Sequence, residues 1–96
     1  MVIQAYTGET INIKLTVSNL ESLEGAIAKF ALKDKDGTVI EKDCVIEDNS
    51  LLVTLNPEET MQAGSYKYEF RIKIGNEVDS LIMDRLFINE SVIKEV

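Results

Sequence analysis

Hydrophobic and polar residues alternate along most of this chain with a period of two, the spacing of strands whose two faces meet different surroundings. In "TINIKLTVS", residues 10–18, Ile11, Ile13, Leu15 and Val17 fall on one face and Asn12, Lys14, Thr16 and Ser18 on the other. "SYKYEFRIKI", residues 65–74, repeats the pattern, with Tyr66, Tyr68, Phe70, Ile72 and Ile74 against Ser65, Lys67, Glu69, Arg71 and Lys73. "AIAKFALKD" turns Ala28, Phe30 and Leu32 inward, and "SLLVTL" does the same with Leu51, Val53 and Leu55. Turn residues separate the runs: Asp36-Gly37 and Gly75-Asn76 read as hairpin connections, and "EDNS" at 47–50 as a tight reversal. Strands are predicted over 2–6, 10–18, 26–34, 38–42, 44–48, 50–55, 65–74 and 77–89, seven or eight in all depending on whether 38–42 stands apart. Short strands at this spacing predict an all-β fold, a two-sheet sandwich, antiparallel throughout.

One stretch departs from the alternation. In "NPEET", Asn56 suits a helix N-cap, Pro57 the first helical position and Glu59 the third position of a capping box, so a short helical turn is expected across one end of the sandwich. The tail "ESVIKEV", from residue 90, reads as the start of a linker or helix. There is no internal repeat and no low-complexity segment.

"SLIMDRLFIN", residues 80–89, resists simple alternation, because Leu81, Ile82, Met83, Leu86, Phe87 and Ile88 cannot share one face. If Leu86 and Ile88 point into the core, Arg85 and Phe87 point out. Two outcomes follow: a β-bulge near Met83-Asp84 that re-aims some of the six, or an apolar outer patch around Phe87 through which the chain meets a neighbour, a second copy included.

Composition narrows what such a fold could do. A chain of 96 residues is one domain, residues 1–96, large enough for a single core, and 45% hydrophobic with 28% charged residues is globular rather than disordered. No apolar run reaches the ~20 residues of a membrane helix, and nothing near Met1 resembles a signal peptide, so synthesis and folding in a cytoplasm are expected, with no membrane partner. Seventeen acidic residues against ten basic ones give a formal charge of −7, which makes nucleic acid a poor partner. The single Cys44 excludes an internal disulfide and a multi-cysteine metal site, and in the apolar "CVIE" it reads as a small buried thiol. The chain has no His, so neither Cys44 nor any Ser has the usual base beside it.

The remaining chemical candidates are acidic. "DKDGT" at 34–38 resembles the opening of a calcium loop, but Val39 and Ile40 occupy the positions where oxygen ligands should continue, and Glu41 comes too early for the distal bidentate ligand. A hairpin turn is expected there instead. The pairs Glu58-Glu59, Glu47-Asp48 and Glu77 with Asp79 could serve glycoside hydrolysis only if held roughly 5–10 Å apart across a cleft, and all fall in predicted turns or on solvent faces. Five glycines scattered singly make no phosphate-binding loop. No catalytic, cofactor-binding or metal-ligating residue is assigned, and no enzyme activity is expected.

The segment "AGSYKYEF", residues 63–70, has the form of a tyrosine corner, in which the first tyrosine bonds backbone upstream and the residue two later enters the core. Tyr66 suits the corner, reaching back toward "NPEET", and Tyr68 the core position that holds a cysteine in antibody domains. With one cysteine and no Trp, the chain lacks the antibody disulfide and the tryptophan that packs on it.

Three segments together carry a family resemblance. "LEGAIAKFALKDKDGTVI" (23–40), "LLVTLNPEETMQAGSYKYEFRI" (51–72) and "DRLFINESV" (84–92) resemble, in order and spacing, the immunoglobulin-like domains of phage tail and baseplate proteins. They are most similar to the N-terminal domain of the baseplate upper protein of phages of Gram-positive bacteria. The resemblance runs from about residue 8 to residue 92. It implies a structural role without catalytic residues, in a virion tail or baseplate, with other tail proteins as partners. Such family proteins continue well past this domain, so an excised domain or a small stand-alone relative is expected. The competing reading is an immunoglobulin-like module that binds carbohydrate or a cell surface. That role would need exposed aromatics, and most of Tyr6, Phe30, Tyr66, Tyr68, Phe70 and Phe87 are at predicted inward positions.

Overall fold

In the computed structural model, which describes residues 1–18 and 23–93 without the side chains of Thr38 and Val39, the alternating segments form eight strands. These are β1 (Ile3–Tyr6), β2 (Ile11–Thr16), β3 (Ile27–Asp34), β4 (Gly37–Asp43), β5 (Val45–Glu47), β6 (Ser50–Leu55), β7 (Gly64–Ile74) and β8 (Glu77–Asn89). A 3-10 turn, Pro57–Glu59, joins β6 to β7. A five-stranded sheet in the order β1-β8-β7-β3-β4 packs against a three-stranded one in the order β2-β6-β5. The expected sandwich is present, and 38–42 belongs to a strand of its own.

The inward positions pack as the alternation requires. Ala28, Phe30 and Leu32 on β3, Tyr66, Tyr68, Phe70 and Ile72 on β7, and Leu86 and Ile88 on β8 face Ile11, Ile13, Leu51, Val53 and Leu55 of the smaller sheet, all buried. Leu15 is only half-buried, and Ile74 likewise, whereas Val17 beyond Leu15 is buried. At the centre, Phe30, Tyr68 and Phe70 form a ring cluster with centroids 5.1–6.1 Å apart, two of the three contacts edge-on. Each such pair adds about 0.5–1.5 kcal/mol beyond the area it buries.

The turns follow their chemistry. At Gly75-Asn76 the positive φ of 61° is on Gly75, the first turn residue, which matches a type II′ hairpin with Ile74 opposite Glu77. At Asp48-Asn49 the chain adopts φ 55° on Asp48, a residue type that tolerates this region, with Glu47 opposite Ser50. Between β3 and β4 the turn residues are Lys35 and Asp36, one position before the expected Asp36-Gly37, with Gly37 already in β4 opposite Asp34, and Asp34 Oδ1 accepts the Asp36 amide at 2.7 Å. In the 3-10 turn Glu59 Oε1 accepts the Asn56 amide at 2.8 Å, the reciprocal half of the expected capping box. Thr60, fully buried, donates to the Glu9 carbonyl at 2.8 Å and ties this turn to the β1–β2 connection.

Two further expectations need correction. The sheets are not antiparallel throughout: β1 runs parallel to β8, Ile3 beside Leu86 and Ala5 beside Ile88. A period-two pattern is the same read in either direction, so it carries no information on strand polarity. The β-bulge of the last strand is not at Met83-Asp84. The register slips between Phe70, opposite Ile82, and Arg71, opposite Ser80, which leaves Leu81 as the extra residue. Tyr66 forms the expected corner: its hydroxyl reaches back upstream and donates to the Gln62 carbonyl at 2.7 Å, just past the helical turn. In the tail, Ser91 is tied by its amide to Thr7 Oγ1 at 3.1 Å, residues 90–93 carry no helix, and residues 94–96 lie outside those described.

Candidate interaction face

Outward positions on β3, β7 and β8 are charged because each alternation places them in solvent, but pairing decides what they stand beside. Residues directly opposite in neighbouring antiparallel strands point to the same face, with side chains about 5 Å apart. The pairings therefore build rows across the outer face of the five-stranded sheet. Lys33 stands opposite Lys67, and Lys67 opposite Arg85. The next row is Ala31, Glu69 and Met83; the one after is Lys29, Arg71 and Ser80; the last is Ile27, Lys73 and Val78. On the other side of the cationic row, Ser65 lies opposite Phe87, which neighbours Gln4 of β1.

Two features distinguish this face. Six of the ten Lys and Arg residues, Lys29, Lys33, Lys67, Arg71, Lys73 and Arg85, gather on it, although the chain is strongly acidic. Exposed apolar side chains, Tyr6, Ile27, Val78 and Met83, lie among them, with Phe87 half-buried. Some of the cations are neutralised locally. Lys29 reaches Glu41 and Asp43 at 3.5 and 3.7 Å, and Arg71 contacts Glu69 at 3.0 Å. Ser80 Oγ donates to the same Glu69 oxygen at 2.6 Å, and that hydrogen bond, with the Arg71 contact, holds the Glu69 carboxyl below its usual range. Lys33, Lys67, Lys73 and Arg85 form no ion pair among the described residues. Beside the row Lys33–Lys67–Arg85 an open groove of about 640 Å³ runs between the β3–β4 turn and the backbone of residues 62–65.

The other residues singled out in the sequence are dispersed. Cys44, between β4 and β5, is half-buried rather than fully so, with its thiol pushed up to about 11 by burial and then by the neighbouring Asp43 charge. It is therefore almost wholly protonated near neutrality and a poor nucleophile. Glu47 and Asp48 project from the β5–β6 turn, and Glu77 and Asp79 from the exposed end of the β7–β8 hairpin. Glu58 is exposed, whereas its neighbour Glu59 is engaged structurally: Lys42 of β4 crosses to it at 2.7 Å and to the Thr54 carbonyl at 2.6 Å, linking the two sheets along one side. The Asn56 amide and Lys42 together hold the Glu59 carboxyl below its usual range. The "DKDGT" segment is the β3–β4 hairpin, and among the described residues no three carboxylate or thiol side chains gather as metal ligands. No helix is long and apolar enough to cross a membrane. Four of the six aromatics, Phe30, Tyr66, Tyr68 and Phe70, are core residues, and Tyr6 and Phe87 lie on the outer face.

The cationic row escapes sequence reading because Lys33, Lys67 and Arg85 are far apart in the chain. Each is one more outward polar residue of its own strand, and only the register joins them. No family model matches this chain, and no curated protein matches it.

Proposed function

We propose that this chain is a non-catalytic assembly module of a phage or prophage tail or baseplate, which holds a rigid sheet surface against partner virion proteins. The observation that carries the contact reading is the outer face of the five-stranded sheet, where Tyr6, Ile27, Val78 and Met83 are exposed on one hydrogen-bonded surface. Tyr, Met, Phe and Arg are the residue types that interfaces concentrate relative to ordinary surface. A surface made of paired strands is rigid before contact, so little conformational freedom is lost on docking. The attribution to a tail rests on the resemblance of residues 23–40, 51–72 and 84–92, which run along β3 and β4, along β6 through β7, and along the second half of β8.

The test is Phe87→Asp, assayed by co-sedimentation with the products of the adjacent genes and by light scattering of the same mixtures. The expected result is a folded variant, with unchanged circular dichroism and a cooperative melt, that no longer associates. Unfolding of the variant would make Phe87 a packing residue and end the contact reading. Adjacent genes without tail, tape-measure or receptor-binding products would remove the tail attribution. Saturable binding on a glycan array would favour the carbohydrate module in its place.

A further inference from the structure

Three positive side chains in direct cross-strand opposition are an arrangement that sheets ordinarily avoid, since like charges placed opposite each other destabilise the pair. Lys33, Lys67 and Arg85 stand in that relation without an ion pair among the described residues, with only the adjacent Asp84 carboxylate acting on Arg85 from a distance, while Lys29, Lys42 and Arg71 of the same sheet each form one. Apolar side chains border the row on both sides: Phe87 is two residues from Arg85 along β8 in one direction and Met83 two residues in the other. The groove at the row's end adds Lys35, and opens beside the backbone of residues 62–65.

We propose that this row and its groove are a docking site for an acidic segment of a partner protein, one that places carboxylates on Lys33, Lys67 and Arg85 and apolar side chains on Phe87 and Met83. The inference rests on reading this face as a contact surface and adds the chemistry of the partner. Charge complementarity selects the occupant. A second copy stacked symmetrically through this face would set one cationic row near another, so self-docking is opposed. A nucleic acid would extend past a row only about 10 Å across, given strands about 4.8 Å apart, onto a surface with a net charge of −7. Asp34 and Asp36 at the rim of the groove and Glu69 in the adjacent row repel any anion that extends beyond the row, which limits the site to a short segment. A short carboxylate-bearing segment with flanking apolar residues satisfies all three features, and guanidinium and ammonium groups at this spacing can each take a carboxylate.

The experiment titrates a labelled eight-residue oligoglutamate peptide carrying one Phe at each end into isotope-labelled protein at low salt. Amide shifts and fluorescence polarisation are followed, with an eight-residue oligothymidylate as the competing polyanion. The expected result is shifts confined to residues near 33, 65–69 and 83–87, binding that weakens with salt, and a loss of about tenfold or more for Lys67→Glu. Lys14→Glu, on the outer face of the smaller sheet, should bind as the native protein does. Lys67→Ser should also bind more weakly while melting at a higher temperature, a combination that a merely structural lysine would not produce. No binding, equal loss in Lys14→Glu, or tighter binding of the oligothymidylate would each overturn the proposal. If peptide binding fails while Phe87→Asp still abolishes association with tail proteins, the contact surface stands and its acidic partner chemistry falls. If the peptide binds as expected but Phe87→Asp leaves that association intact, the acidic docking site stands and its use in tail assembly falls.

Discussion

On the inner face of β3, β7 and β8, the row Leu32–Tyr68–Asp84 leaves no polar atom idle: the Tyr68 hydroxyl donates to the Met1 carbonyl, and Asp84 takes the Met1 ammonium and the Arg85 amide. One residue along the same three strands, on the outer face, Lys33, Lys67 and Arg85 stand together without an ion pair among the described residues. Both rows come from the same alternation. The inner one is completed by the rest of the fold, and among the described residues no buried side-chain polar atom lacks a partner. The outer one forms no ion pair among the described residues. That contrast separates residues that hold the sandwich together from residues available to meet something else.

The contrast is best broken from inside. Phe70, fully buried and in contact with both Phe30 and Tyr68, should cost about 3–5 kcal/mol when cut to Ala, read as a fall in the urea midpoint with the slope unchanged. A cost near that of a surface substitution would mean that the ring cluster is not the centre of the core. Next in size is Tyr66→Phe, which removes the 2.7 Å bond to Gln62 but keeps the ring. A loss of about 1 kcal/mol or somewhat more is expected, with binding of the acidic peptide unaltered. Weakened peptide binding with stability intact would instead assign the tyrosine to the contact surface.

The seam between the sheets gives a smaller, pH-dependent effect. The Glu59 carboxyl is held below its ordinary value of 4.5 chiefly by the Asn56 amide and also by Lys42. Its folded form thus binds its proton less readily than the unfolded chain does. The contribution is complete above that ordinary range and is lost as the pH falls through the lowered value. Glu59→Gln should cost about 0.5–1 kcal/mol at neutral pH and flatten the acid limb of stability against pH. Parallel acid limbs for the two proteins would dismiss this residue as a source of acid sensitivity. The smallest effect has the opposite sign: Lys67→Ser should raise stability by roughly 0.2–0.5 kcal/mol by relieving the outer row.

Much of the sandwich was legible because burial and turn geometry are local properties. Tyr68, Phe70 and Ile72 are inward because period-two spacing leaves them no other face once their neighbours are charged. Asp48 and Gly75 mark reversals because few residue types accept a positive φ. The capping residue Glu59 was legible for the same reason, since its partner Asn56 is three positions away. Its second partner, Lys42, was not, because that contact joins β4 to the turn that follows β6, 17 residues along the chain.

The sequence by itself therefore determined which residues of each strand point inward, where the chain reverses, and that the last strand could not alternate cleanly to its end. Tertiary structure alone decided that β1 lies parallel to β8, that Leu81 is the residue the bulge absorbs, and that Lys33, Lys67 and Arg85 form one row. Alternation acts within a strand and is indifferent to polarity, neighbour and register. Those three are settled only when distant segments compete for the same hydrogen bonds and the same core, and a site assembled across strands exists only after that competition is resolved.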